Sequence, residues 1–395
     1  MTSSDDFGSF VSHLECSRNG TTLPADRLSG LSPAGAPLLV RYDLERLRRH
    51  VDRERIVRRP PDLWMWRELL PTAPDRPSVT LGECMTPLLA LDTAGRLLLK
   101  DESRLPTGSF KARGMATAVS MAREFGVSGL VVPTAGNAGA AAAAYGAAAG
   151  LPVAVVAPRD TPDLVLREAV FHGAQVRQVD GLIDACGTLA RRLAEETGWH
   201  DLSTLAEPYR LEGKKTMGLE LALQLDWRLP DVIYYPTGGG TGFIGMWKAF
   251  HELRELGWID GDLPRMVAVQ TRGCCPIRRA LDAGAEDVDE AFTPVDTIVP
   301  GVRVPKPLGA RLILSVVRRS GGHATVVSDD DALHERGRLA RRAGVNICPE
   351  GGACMAAYRQ DLEAGRVFGS EQAVVFNTAS GLKSAMPEAS AADSH

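Results

Sequence analysis

Short apolar runs, each closed by a glycine- or proline-bearing loop and followed by a longer helical stretch, set what this chain can fold into. Val131-Val132, Val153-Ala154-Val155-Val156, Val232-Ile233-Tyr234-Tyr235, Met266-Val267-Ala268-Val269 and Ala373-Val374-Val375-Phe376 are continuous rather than alternating, as strands buried on both faces are. The alternation predicts an α/β fold on mostly parallel sheets, with further strands at Leu97 to Lys100 and Gln175 to Val179. No internal repeat of fixed period is visible. In such folds a ligand sits beyond the carboxyl ends of the strands or in a cleft between domains. The loops after the strands are therefore where chemistry is to be sought.

Three of those loops, and one lysine upstream of them, stand out. Lys111 lies in Pro106-Thr107-Gly108-Ser109-Phe110-Lys111-Ala112-Arg113-Gly114, with Gly108 and Gly114 permitting tight backbone on either side. A lone lysine at a helix start is most often a solvated charge. Pro133-Thr134-Ala135-Gly136-Asn137-Ala138-Gly139 opens an alanine-rich helix, whose first N–H groups and dipole favour an anion such as a carboxylate. Taken alone, its glycines serve equally to make a tight turn. Gly238-Gly239-Gly240-Thr241-Gly242 joins a strand to a helix-like segment and makes a nest of N–H donors for a phosphate. It has neither the lysine and hydroxyl ending of a Walker A loop nor the spacing of a dinucleotide fingerprint. The third loop is Asn377-Thr378-Ala379-Ser380-Gly381-Leu382-Lys383.

Composition narrows the classes. The chain has 395 residues, 44% of them hydrophobic, and a net charge of -4, enough for two layered domains with their own cores. Its charges are interspersed, with no basic patch for nucleic acid or a membrane surface. No membrane-spanning helix is expected, and Met1 to Asp6 lacks a leader's basic and apolar regions, so the expected address is the cytoplasm. Seven scattered cysteines read as reduced thiols rather than a disulfide framework. His172, His200 and His323 show no metal-ligand spacing.

The lysine and the three loops, in this order, resemble the fold type II pyridoxal-phosphate enzymes and most closely the threonine synthases, from Cys16 through Lys383. The resemblance implies two doubly wound α/β domains with pyridoxal 5'-phosphate in the cleft between them. Residues 41–113 and 211–383 would form the large cofactor domain and 114–210 the small one, with a frayed tail at 384–395. Lys111 would carry the cofactor as a Schiff base and shuttle protons once substrate displaces it. Asn137 would bond the phenolic oxygen, Gly238, Gly239, Gly240, Thr241 and Gly242 would cradle the phosphate, and Thr378 would partner the pyridine nitrogen. Thr134, Ala135, Gly136 and Ala138 would grip the substrate carboxylate, and Arg210 and Lys214, in Tyr209-Arg210-Leu211-Glu212-Gly213-Lys214-Lys215-Thr216, the substrate phosphate. Many threonine synthases begin with a small zinc ribbon of two cysteine pairs. Here only Cys16 remains, with Asn19, Ser32 and Ala34 at the other ligand positions, so residues 1–40 are expected to be a metal-free remnant.

The activity implied is β,γ-elimination of phosphate from O-phospho-L-homoserine and addition of water at Cβ, giving L-threonine, by a homodimeric lyase. Leu205 and Glu207 replace a serine and an asparagine of those relatives, and Ala379 and Ser380 replace a glycine and a histidine. Glu207 is expected to pair with Arg210, Lys214 or Arg113 to relieve its conflict with a phosphate. The rival within the fold is β-elimination or β-replacement on serine, threonine or another β-substituted amino acid, as in dehydratases, ammonia-lyases and cysteate synthase. A non-catalytic binding module is the rival from another class. Arg303 and Lys306 are two further cations on a proline-stiffened loop, with solvated charges the equal alternative. Glu350 reads as an acidic residue in a helix's first turn.

Overall fold

A computed structural model describes residues 9–73 and 78–385. The segment Met1 to Asp6, read above as lacking a leader, and, from residue 386 on, the expected frayed tail lie outside the described residues. In chain order the elements are β1 (Val11–Cys16), β2 (Thr22–Leu23), β3 (Leu38–Tyr42), α1 (Leu44–His50), α2 (Arg53–Val57), β4 (Leu88–Ala90), β5 (Leu97–Asp101), α3 (Lys111–Glu124), β6 (Leu130–Pro133), α4 (Ala138–Ala149), β7 (Val153–Pro158), α5 (Asp163–Phe171) and β8 (Gln175–Val179). There follow α6 (Ile183–Thr197), β9 (His200–Asp201), α7 (Tyr209–Gln224), β10 (Val232–Pro236), α8 (Thr241–Glu255), β11 (Arg265–Thr271), α9 (Pro276–Asp282), α10 (Ala310–Arg319), β12 (His323–Val327), α11 (Asp329–Ala343), α12 (Pro349–Glu363) and β13 (Ala373–Asn377).

The strands form three sheets, ordered β2-β1-β3, β12-β11-β10-β13-β5-β4 and β8-β7-β6-β9. The six-stranded sheet is parallel except for β4, which runs antiparallel along its edge. The four-stranded sheet is parallel throughout. Every residue of β7, β10 and β13 is buried, because helices cover both faces of these strands. Edge strand β8 instead exposes Gln175, Arg177 and Gln178, charge and polarity that discourage pairing with another chain. Gly150, Gly198 and Gly344 close α4, α6 and α11 at φ 71°, 69° and 68°, the left-handed stop that a Cβ disfavours.

Helix α7 carries Arg210 and Lys214, and two buried charge clusters hold it. On one side Arg113, fully buried in α3, donates to Glu102 at 2.6 Å and to Glu220 at 2.5 Å. Lys100 of β5 donates to the same Glu220 at 2.7 Å. On the other side Lys215 and Lys248 pair with Glu212 and Glu252 at 2.5 to 3.0 Å. Each cluster has two cations and two carboxylates, so neither leaves a net charge in the core. A methyl at Gly213 would collide with the Arg113 carbonyl oxygen; glycine is what lets α3 and α7 approach so closely.

The N-terminal sheet rests on the second cluster. Tyr42, at the end of β3, donates its hydroxyl to Glu212 at 2.8 Å and takes the Lys215 ammonium over its ring at 3.9 Å. Within the sheet the Cys16 thiol donates to Ser32 Oγ at 3.1 Å, and Asn19 Oδ1 accepts from the Thr21 N–H. Among the described residues, no group of three or more His, Cys, Asp or Glu side chains comes together as metal ligands would.

Candidate active site

Lys111 is the first residue of α3. The turn before it holds Thr107 at φ 57° and Gly108 at φ 62°, and a left-handed threonine persists only where its surroundings impose it. Those surroundings are visible. Phe110 N donates to the Thr378 carbonyl at 2.9 Å, Ser380 N donates to the Gly108 carbonyl at 2.8 Å, and Ser109 bridges Ala379. The lysine loop is thus bonded directly to the loop after β13. The turn Pro106–Gly108 also packs against α4, next to the Thr134 to Ala138 turn. The hydroxyls of Thr107 and Ser109 are buried without a hydrogen-bond partner from the protein, an exception among buried polar groups.

The Lys111 side chain is enclosed by protein yet still reached by solvent, as a group lining a cleft is. Its Nζ lies 4.0 Å from the centroid of the Phe110 ring. Burial, helped by the Arg210 charge and opposed by Glu350, draws its pKa down to about 7, so a large fraction is free amine near neutrality. Arg210, buried in the first turn of α7, donates to the Leu202 carbonyl at 2.5 Å and to Thr204 Oγ1 at 3.3 Å. Lys214 is buried one turn further along α7. Its Nζ donates to the Phe110 carbonyl and lies 4.1 Å from the same ring's centroid.

The glycine loop closes over this group. A methyl at Gly239 would fall 2.9 Å from Thr204 Cγ2 and one at Gly238 2.5 Å from the Gly301 carbonyl oxygen, while at Gly240, held at φ 75°, it would collide with Ile313 Cδ1. The loop must be glycine to bend here, and Thr204 joins it to Arg210. Thr241 and Gly242 begin α8, whose first N–H groups have no partner within the helix. At the other turn, Thr134 Oγ1 accepts from Gly136 N at 3.0 Å, and Ala135 lies between them. A methyl at Gly136 would meet nothing within 4 Å, so space opens where a carboxylate is expected. Asn137 precedes Ala138 and α4 without capping the helix with its side chain.

Glu207 does not make the side-chain pair expected of it. Its carboxyl accepts from the N–H groups of Tyr209 at 2.7 Å and Arg210 at 2.9 Å, because orphan donors at a helix start attract a carboxylate more directly than a distant side chain does. Arg113 is already taken by Glu102 and Glu220, and Lys214 by the Phe110 carbonyl. Burial lifts the Glu207 pKa to about 7, against the opposing pull of Arg210 and the two N–H groups. Leu205, which stands where the threonine synthases it resembles have a serine, is buried at φ 62° and packs toward Gly309 beneath the glycine loop.

Sequence reasoning gave no role here to Thr204 or Cys348, and only a helix-end role to Glu350. Glu350 Oε1 accepts from Gly301 N at 2.7 Å, tying the 299–304 segment to the start of α12 beside Lys111. Cys348 Sγ lies 3.7 Å from Thr378 Oγ1, and burial with the Glu350 charge raises its pKa to about 12, so it is a neutral thiol. Arg303 reaches across to Asp160, just after β7, at 2.9 Å, and Lys383 pairs with Glu168 of α5. Both pairs cross from the six-stranded to the four-stranded side. Lys306 is exposed and donates to the Asp289 carbonyl, on the surface. His323 bonds Asp361 at 2.6 Å, and buried His200, with its pKa lowered to about 4, stays neutral.

A lysine poised as free amine, a glycine nest at a helix start, orphaned hydroxyls and a loop-borne threonine fit a phosphorylated aldehyde. Residues 79–379 match the family described as pyridoxal-phosphate dependent enzyme. The structure resembles maize serine racemase, with a TM-score of 0.65 and 23% identity over 75% of this chain and 88% of that one. It also resembles a threonine deaminase from T.th., with a TM-score of 0.63 and 27% identity over 77% of this chain and 94% of that one. The protein is therefore a pyridoxal-phosphate-dependent lyase of fold type II.

Its sequence is 35% identical to a threonine synthase of Methanosarcina acetivorans, over 92% of this chain and 90% of the relative. It is 33% identical to one of Methanocaldococcus jannaschii, over 93% and 92%. The chain belongs to the threonine synthase family.

Proposed function

We propose that this chain acts on O-phospho-L-homoserine, with phosphate leaving Cγ and water adding at Cβ to give L-threonine. One observation carries the reading. Arg210 is buried beside Lys111 and, through Thr204, beside the glycine loop, with no ion pair among the described residues, so a second anion site adjoins the first. Guanidinium geometry suits phosphate oxygens there.

Bound pyridoxal phosphate supplies an electron sink joined to the substrate's amino nitrogen. Lys111 Nζ accepts the proton from Cα and moves protons at the neighbouring carbons. Gly238 to Gly242 would hold the cofactor phosphate on backbone N–H groups, and Asn137, which does not cap α4 with its side chain, would orient the ring. Thr378 would offer the ring nitrogen a hydroxyl, which cannot hold a pyridinium as a carboxylate would, so proton traffic would fall mainly on Lys111. Thr134 to Ala138 hold the α-carboxylate at the start of α4, while Arg210 and Lys214 draw off charge from the departing phosphate.

Titrating the holoenzyme with O-phospho-L-homoserine should release phosphate and threonine in equal amounts; a response to serine or threonine alone would instead assign it to the β-elimination rival. Arg210→Gln should raise KM for the phosphorylated substrate by about 30-fold or more, the cost of truncating a buried charged contact. Equal losses for phosphorylated and unphosphorylated amino acids would remove Arg210 from the phosphate site.

The same proposal takes residues 41–113 with 211–383 as the cofactor domain and 114–210 as the small domain, supported by the six- and four-stranded sheets. Residues 1–40 stand as a metal-free remnant, since Cys16 already bonds Ser32. Metal analysis of purified protein should find well under one zinc per chain, and one bound zinc would overturn that. We take the enzyme as a cytoplasmic homodimer with an amino acid as its small-molecule partner. No described helix is long and apolar enough to cross a membrane, and light scattering should give twice the 42.3 kDa chain mass.

A further inference from the structure

The turn ahead of Lys111 holds two left-handed residues in succession, Thr107 at φ 57° and Gly108 at φ 62°. Glycine takes that form freely, but a β-branched threonine keeps it only where contacts impose it. The Thr107 hydroxyl, buried without a partner from the protein, does nothing to hold it. The segment after β13 supplies the hold at three points. Phe110 N donates to the Thr378 carbonyl, Ser380 N to the Gly108 carbonyl and Lys383 Nζ to the Thr107 carbonyl, at 2.9, 2.8 and 2.9 Å. Two of these are backbone bonds, open to most side chains. The third needs a long cationic one, and its stem lies along the turn, since a methyl on Gly108 would fall 3.2 Å from Lys383 Cδ.

The same ammonium pairs with Glu168 of α5, the helix that follows β7. An ammonium carries three donors and no acceptor, so Nζ serves the Thr107 carbonyl and the carboxylate together. The lysine side chain is 12% exposed and the glutamate 25%, so salt screens this pair less than one on the open surface. The platform beneath Lys383 is fixed. Gly381 N donates to the Asn346 carbonyl at 3.1 Å, Ser380 bridges Ile347, and Arg336 donates to the Gly381 carbonyl at 2.9 Å. A firm loop on the six-stranded side thus sends one lysine to two places, the turn that sets Lys111 and a helix on the four-stranded side.

We propose that Lys383 is a positioning residue for Lys111: it holds the Thr107–Gly108 turn in its left-handed form and, through Glu168, makes that hold depend on α5. The inference rests on Lys111 as the cofactor lysine. Without Nζ the Thr107 carbonyl loses its partner, the threonine relaxes toward ordinary backbone, and the start of α3 moves with it. Lys111 is the first residue of that helix, so its amine then leaves its line with the glycine nest, and small misplacements of a reacting group are costly. Glu168 acts at one remove. A lysine at the edge of a cleft can always turn out to water, and the carboxylate on α5 is what keeps Nζ at the turn.

The test measures the cofactor dissociation constant from the visible band, together with kcat and KM, in wild type, Lys383→Met, Lys383→Arg, Glu168→Gln and the Lys383→Met/Glu168→Gln double variant. Lys383→Met, which keeps the stem and loses the donor, should weaken cofactor binding by about tenfold or more, the scale of a lost charge-assisted hydrogen bond. It should also lower kcat by about tenfold to a hundredfold with KM changed far less, and Lys383→Arg should recover most of both. Glu168→Gln should show a smaller loss in the same sense, and the double variant no more than Lys383→Met alone, because the glutamate acts only through the lysine. A lower unfolding midpoint with cofactor affinity and kcat unchanged would overturn the proposal and leave Lys383 a structural contact, and additive losses would overturn the link to α5. If Lys383→Met fails to fold, unchanged affinity and kcat in Glu168→Gln have the same force. A wild type with no cofactor band would overturn this inference and the functional reading together. One that has the band yet leaves O-phospho-L-homoserine untouched would overturn the functional reading alone, with the cofactor affinities still deciding this one.

Discussion

Replacing Lys111 with alanine is expected to lower turnover by about ten-thousandfold, at the upper end for loss of an acid–base group, and to remove the cofactor's lysine-linked absorbance. The expectation comes from the setting more than from the residue type. Lys111 sits on a turn that Thr378 and Gly108 bond to the β13 loop, and its pKa is drawn to about 7 by burial and by Arg210. A lysine in water would be almost wholly protonated at that pH. The sign follows. Only the free amine accepts a proton, and Lys111 is free once substrate has displaced it, so kcat should rise about tenfold per pH unit below 7 and level off above it. Turnover retained in Lys111→Ala, with the band intact, would remove Lys111 from the chemistry.

Replacing Glu220 with alanine should cost about 3–5 kcal/mol of stability, the range for breaking a buried ion pair from one side. The carboxylate receives Arg113 at 2.5 Å and Lys100 at 2.7 Å with all three side chains fully buried, so its loss strands two cations beside Glu102. Thermal or urea unfolding measures this directly, and a change under about 1 kcal/mol would show that water or a rearranged Glu102 takes its place. The same group has an acid signature. Burial alone would raise its pKa, but Arg113 and Lys100 outweigh that and bring it to about 2. Because the folded pKa is below the unfolded one, the stabilisation is complete above the ordinary carboxylate range near 4.5 and is lost as pH falls toward 2.

Most of the parallel framework was legible in the residues, since strands buried on both faces leave uninterrupted apolar runs. β7, β10, β11 and β13 all cover such runs. β12 was not recognised, because His323 and Thr325 break the run and only its place beside β11 makes a strand of it. The loops near Lys111 were found because each follows a strand and carries glycine. Glu350 and Thr204 were not, because their contacts depend on how the 299–304 segment and the glycine loop fold back onto them. Glu207 shows the opposite case. A carboxylate ahead of Pro208 and Tyr209 is an ordinary helix-start signal, and that local role prevailed over the long-range pairings considered for it.

The N-terminal sheet ends in Tyr42, whose hydroxyl and ring serve Glu212 and Lys215 on the helix that carries Arg210 and Lys214. That makes the sheet a keystone rather than an appendage. A chain begun beyond Tyr42 would open the α7 charge cluster to water. The charge balance of α7 thus depends on a hydroxyl delivered from a separate sheet, some 170 residues earlier in the chain.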